Sequence, residues 1–213
     1  MKKYKKTLIF TSIITLLPII VGLLLWDQLP DRMATHFALD GTPNGWSNKE
    51  TVVFGIPIML VLVQVLGMGV TLADPKKQNI NDKLMGLILW LIPVISIVGN
   101  FHTYAFSLGY QLNVSAYVTI FLGGLFIVIG NYLPKCRQNY TMGIKLPWTL
   151  DDEDNWNHTH RMAGYLWILG GFVMIVNVFT NFEWLFIVCA ASMVLVPTVY
   201  SYLYYRKHGK REE

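Results

Sequence analysis

Six long apolar stretches, none containing Asp, Glu, Lys or Arg, are separated by short polar breaks along the chain. They occupy residues 7–26, 51–73, 84–106, 110–133, 162–182 and 184–205. Each is near the ~20 residues a helix needs to cross ~30 Å of hydrocarbon. Lipid offers no partner for backbone polar groups, so segments of this kind close their hydrogen bonds internally as helices. The expected fold is an all-α integral membrane protein of six transmembrane helices.

Orientation follows from the basic residues, because Lys- and Arg-rich loops stay on the cytoplasmic side. Of the 17 basic residues, only Arg32 and Lys49 fall in the breaks after the first, third and fifth stretches; the others fall at the termini and in the alternate breaks. Both termini are therefore expected in the cytoplasm, with an outer loop at 27–50 and a long cytoplasmic loop at 134–161. The net charge of +4 is accounted for by this distribution and by anionic lipid, and no direct nucleic acid binding is implied. The basic start resembles a signal peptide, but the run after it is full length and no small-x-small site follows Trp26, so an uncleaved first span is expected. Cys136 and Cys189 lie at different depths and lack metal-site spacing.

Within the spans the polar exceptions are Gln64, Asn100, His102, Asn131 and Asn177. The absence of ionisable carboxylates and amines there argues against a proton-coupled pump. Pro18, Pro57, Pro93 and Pro197 are expected to kink their helices, with neighbouring helices satisfying the freed carbonyls, and the kinked spans are candidates for a moving part. Small residues, including Gly67, Gly69, Gly123, Gly124, Gly164, Gly170 and Gly171, suit close helix packing. Nucleotide-binding, nucleophile-elbow and HExxH patterns are missing, and no enzyme activity, cofactor or metal is expected.

The outer loop contains an alternating stretch, Met33 to Phe37, that suits a brief strand. Asp40-Gly41 and Pro43-Asn44-Gly45 are turn signals, and Ser47 with Glu50 has capping-box spacing before the second span. Such a loop is ordered, as a lid on the helix ends or as a recognition surface. For an outer ligand the candidate contacts are Asp31, Arg32, His36, Asp40 and Trp46, with His102 at the outer end of the third span.

In the cytoplasmic loop, Gly143 and Pro147 prevent one continuous helix. Thr149 has the spacing of an N-cap for a helix starting near Leu150, and the acids at 151–154 suit its positive end. Trp156 is expected as an interfacial anchor, with His160 and Arg161 facing headgroups or the neighbouring loop.

The GNYLPK exit of the fourth span, the NYTMGIKLPWTL stretch and the later Trp156, Thr159, His160 and Arg161 resemble the SdpI-like bacteriocin immunity proteins of Gram-positive bacteria. The passage LPDRMATHFALDGTPNGW is similar to a small domain of unknown function often found at their N-terminus. The resemblance implies a two-span unit at 1–73 and an SdpI-like four-span unit at 74–213. It also implies a cell-membrane protein that protects against a secreted peptide toxin and, in some members, holds a transcriptional repressor at the membrane. Motif positions Asn139, Gly143, Lys145, Pro147, Trp148, Thr149, Trp156, His160 and Arg161 then become candidates for partner binding or loop structure. The rival readings are a transporter of a small or peptidic solute, and an intramembrane metalloenzyme using His102, His158 or His160.

Overall fold

The computed structural model describes residues 3–38, 41–110, 113–180 and 182–208. Its helices are α1 (Lys5–Leu24), α2 (Ile56–Ala73), α3 (Asp82–Ser107), α4 (Val114–Tyr132), the short α5 (Pro147–Asp151), α6 (Glu153–Thr180) and α7 (Glu183–His208). Among the described residues six helices are long and apolar enough to cross a membrane. They coincide with the six apolar stretches, and α6 extends its stretch by two turns of polar helix.

The all-α expectation needs one correction. Residues between α1 and α2 form an antiparallel hairpin, β1 (Arg32–Phe37) with β2 (Pro43–Asn48), in which Arg32 pairs with Asn48 and Ala34 with Trp46. Pro43-Asn44-Gly45 is strand, not turn, and Gly41, at φ 84°, supplies the left-handed residue of the connection. Ser47 is also strand, with its hydroxyl 3.3 Å from that of Thr35, so the expected capping box does not form. The next turn, Thr51–Gly55, is wound as a π-helix in which the Ile56 N–H donates to the Thr51 carbonyl. Pro57, one turn on, has no N–H for the Val53 carbonyl, which favours this wider winding.

Packing divides the chain into two compact units, Met1–Ala73 with Asp82–Ser115, and Asp74–Asn81 with Ala116–Glu213. The third span therefore packs with the first two, whereas the sequence division at residue 73 groups it with the later ones.

In the first unit, polar bonds tie α1 to α3 at successive levels. Lys3 reaches both Asp82 oxygens at 2.7 Å, Ser96 Oγ donates to Thr15 O at 2.8 Å and the Tyr104 hydroxyl to Pro18 O at 3.1 Å. Pro93 cannot donate to Leu89 O, and the amide of Gln64 on α2 does so instead at 2.8 Å. The same Gln64 nitrogen donates to Thr11 Oγ1 at 2.8 Å, which joins three helices through one buried side chain. The hairpin closes one end of this unit over Leu29, Met33, Val52, Val53 and Tyr104.

In the second unit Met174, Cys189 and Met193 form the core between α6 and α7. Pro197 leaves Met193 O without its helical donor, and the Trp167 indole supplies one at 3.0 Å. The α4–α6 contact is set by glycine: a Cβ on Gly123 would lie 2.7 Å from Gly171 O, and one on Gly130 would lie 2.9 Å from Gly164 O. The seven-residue spacing on both helices keeps these close approaches on one face. Gly67, Gly69 and Gly124 have no neighbour there and do not serve as the packing positions expected of them.

Candidate functional site

The segment 134–161 folds into a knot of buried polar groups at one end of the second unit. After α4, a 3-10 turn (Leu133–Lys135) delivers Cys136 to the interior. Asn139, fully buried, accepts the N–H groups of Thr141 (2.9 Å) and Met142 (2.7 Å) at Oδ1 and donates to Arg137 O at 2.8 Å. This side-chain-made turn replaces the helical hydrogen bonds that Gly143 and Pro147 preclude.

Gly143 has φ 106°, and a Cβ there would lie 2.3 Å from His160 Nε2 and 2.9 Å from the Trp156 ring. Ile144 N–H donates to that Nε2 at 2.9 Å, while His160 Nδ1 lies 2.8 Å from Trp156 O. The two contacts assign the neutral Nδ1–H tautomer, because one nitrogen must accept and the other donate. Trp156, stacked on His160 at 4.0 Å, is fully buried and its indole donates to Cys136 O at 2.7 Å. Trp156 is core and not the interfacial anchor expected, while His160 meets the neighbouring loop, one of its two expected surroundings, and not headgroups. Arg161 is exposed.

Thr149 is the third residue of α5, not the cap of a helix starting near Leu150. Its hydroxyl accepts Leu146 N–H at 2.9 Å and donates to Ile144 O at 2.8 Å. The cap of α6 is Asp152, whose Oδ1 accepts Asp154 N–H at 2.9 Å and Asn155 N–H at 3.2 Å. Pro147 opens α5, where its missing N–H costs nothing. Trp148 donates to Ser201 Oγ at 3.0 Å and packs on the Tyr202 and Tyr205 rings of α7. Exposed Lys145 closes the loop by donating to Tyr140 O and Thr141 O, both at 3.1 Å.

Several members of the knot escaped sequence reasoning. Asp74, just past α2, accepts Tyr140 N–H at 2.9 Å, the Thr141 hydroxyl at 2.6 Å and Lys76 N–H at 2.7 Å. Burial alone would raise its pKa, but these hydrogen bonds outweigh that effect and hold the carboxyl below its ordinary value. Gln138 donates through its side-chain amide to Thr149 O and Leu150 O, both at 2.9 Å, and its backbone carbonyl accepts from the Asn79 amide at 2.7 Å. Asn155 donates to Ser201 O at 3.0 Å and accepts the Thr159 hydroxyl at 3.0 Å. Burial pushes the Cys136 thiol up to about 11, with the Asn139 amide opposing weakly. His158 is exposed and stacks on Tyr204, so it points away from His160. Chemically the knot is a preorganised platform whose interior donors and acceptors are already engaged.

The hairpin of the first unit presents a different surface. Arg32, His36 and Trp46 are exposed, and the Asp31 side chain is 99% exposed with Lys49 at 3.5 Å. His36 Nδ1 bonds to Asn44 Oδ1, and Gly45 is required opposite it because a Cβ would lie 2.8 Å from the His36 Cβ. Asp40 lies outside the described residues. His102 is buried beneath the hairpin, edge-on to Phe37 at 4.8 Å and stacked near Phe106, which removes it from the outward surface. Lys49, not singled out by the sequence, donates to Trp26 O at 3.1 Å and Leu29 O at 3.0 Å and so binds the exit of α1 to the hairpin.

Residues 135–201 match the model of the SdpI/YfhL protein family, and residues 13–61 match a domain of unknown function, DUF1648. The chain is 26% identical over 207 residues to the immunity protein SdpI of Bacillus subtilis (strain 168), covering 95% of this chain and 98% of that protein. No solved structure matches. The family match begins at the start of the buried knot and ends at Ser201, the α7 residue that Trp148 and Asn155 both engage. With its six apolar spans, the chain is a multi-pass cell-membrane protein, and its residues 135–201 are similar to the SdpI/YfhL family.

Proposed function

We propose that this protein protects the cell that makes it against a secreted antimicrobial peptide. The observation that carries the reading is the end-to-end similarity to an immunity protein, which leaves no large part of either chain unmatched. The basic residues orient the chain with both termini and the 134–161 knot toward the cytoplasm and the hairpin outside. The exposed hairpin residues Asp31, Arg32, His36 and Trp46 then meet the peptide first. In a signalling extension, the outward side of the knot, with Lys145 and Arg161, receives a cytoplasmic repressor. Solute transport is less well supported: Gln64 and Asn177 are engaged in helix and loop packing, Asn177 by two bonds to the backbone of Phe182 in the α6–α7 turn.

The test is survival of a deletion strain, with and without the gene restored, in conditioned medium from stationary cultures of its parent. Killing that the restored gene prevents is expected, and charge reversal at Asp31 and Asp40 weakens protection at unchanged membrane level. Equal survival with and without the gene overturns the reading.

A further inference from the structure

We propose that the groove between α1 and α3 is a lateral site, open to the bilayer, for an apolar peptide segment carrying a hydrogen-bond donor. This rests on the immunity reading and specifies where its peptide is held. A cavity of about 520 Å³ is lined by Leu17 and Val21 of α1 and by Ile97, Phe101 and Ala105 of α3. That volume is within the ~300–1,000 Å³ of ligand sites. Val21, Ile97 and Phe101 are all exposed, so the groove opens sideways rather than into the interior of the unit.

Besides Tyr110, two polar side chains share the lining. The Tyr104 hydroxyl is spent on Pro18 O. Asn100 is 4% exposed, and its Nδ2 donates to Ser96 O at 2.8 Å, but its Oδ1 has no donor. An amide oxygen left unmatched in apolar surroundings is costly, and its partner has to be an N–H or O–H. The terminal torsion of Asn is broad, so a modest rotation presents Oδ1 to an occupant.

Depth selects the occupant. Asn100 precedes the end of α3 at Ser107 by seven residues, or roughly 10 Å along the helix. An acyl chain carries no donor at that level. A peptide brings one in a backbone amide or in a Ser, Thr or Trp side chain, together with the apolar side chains that fill the rest of the groove. Tyr110, 65% exposed at the rim, suits the headgroup level where such a segment would enter.

The experiment places the photocrosslinker benzoylphenylalanine at Phe101 in full-length protein, exposes cells to the conditioned medium, irradiates them, and reads the mass and fragment sequence of the adduct. A secreted-peptide adduct is expected at Phe101 and not at Phe10, an exposed α1 residue outside the groove. Ala105→Trp, which fills the groove, lowers both adduct and survival at least tenfold at unchanged membrane level. Asn100→Leu lowers both about two- to tenfold, the worth of one hydrogen bond. Lipid adducts alone at Phe101, or full protection by both groove variants where the wild type protects, overturn the site and leave immunity standing. A wild-type gene that gives no protection overturns immunity and this site together.

Discussion

Gly143→Ala tests the architecture of the knot at its tightest point. The substitution places a methyl group in a backbone conformation of φ 106° and 2.3 Å from His160 Nε2. A non-glycine residue held in such a region costs about 1–3 kcal/mol. Relief of the clash has to move His160, which is stacked on Trp156, and so strips Ile144 N–H of its acceptor. An unmatched buried donor costs about 1–3 kcal/mol more. The sum, roughly 2–6 kcal/mol, is a large part of an ordinary folding free energy. At about 2–4 °C per kcal/mol for a chain of this size, the melting temperature in detergent falls by roughly 5–20 °C. The assay is thermal unfolding of purified protein followed by size-exclusion chromatography, with Arg137→Ala, at an exposed position, as control. The double variant with His160→Ala separates the terms: it matches His160→Ala alone if the clash dominates and is worse if backbone strain dominates. A Gly143→Ala protein that melts with the wild type refutes the geometry.

Gln64→Leu leaves Leu89 O unmatched and costs about 1–3 kcal/mol, and Pro93→Ala, which restores the helical N–H, recovers much of that loss in the same melting assay; additive costs would exclude the link. For Asp74, whose folded-state carboxyl lies below its ordinary value, the unfolded chain binds the proton first on acidification. Its contribution is therefore complete above pH ~4 and lost as pH falls through the folded-state value. Asp74→Asn lowers stability near neutral pH and flattens this acid limb, and parallel pH profiles for the two proteins would dismiss the carboxylate. Cys136, buried and with its thiol raised to about 11, resists iodoacetamide at pH 8 until the protein is denatured; prompt labelling of the folded protein would contradict its placement.

The spans were legible because hydropathy over 20 residues is a signal no local choice reverses. β1 was legible from alternation, but β2 was hidden by Pro43, Asn44 and Gly45, which as a local string favour a turn and become strand only by pairing with His36 and Phe37. The motif residues of the knot were recognised, yet their roles were not. Trp156 and His160 look interfacial on a helix near the membrane and become core only when Gly143 packs beneath them. Asp74 gave no signal of a place in the knot, since it reads as a loop acid after a span and its partners there, Tyr140 and Thr141, lie more than 60 residues away. Contacts of that range arise from tertiary placement and leave no trace in spacing.

Of the proline-kinked spans, natural candidates for movement in a relay, α3 and α7 are held at the kink itself. A kink is loose only if its freed carbonyl is left to lipid. Here Leu89 O is held by Gln64 and Met193 O by Trp167, each a donor from another helix of the same unit. Opening either kink would unmake a buried bond with no water to replace it. A peptide that binds outside shifts an equilibrium only by binding one arrangement better than another. In the first unit the α1–α3 bonds at Thr15 and Pro18 border the groove around Asn100. A peptide held in the proposed site is therefore expected to act on that unit at the α1–α3 seam. Replacing Tyr104 by Phe, which deletes the Pro18 bond, is the direct way to loosen it without touching a kink.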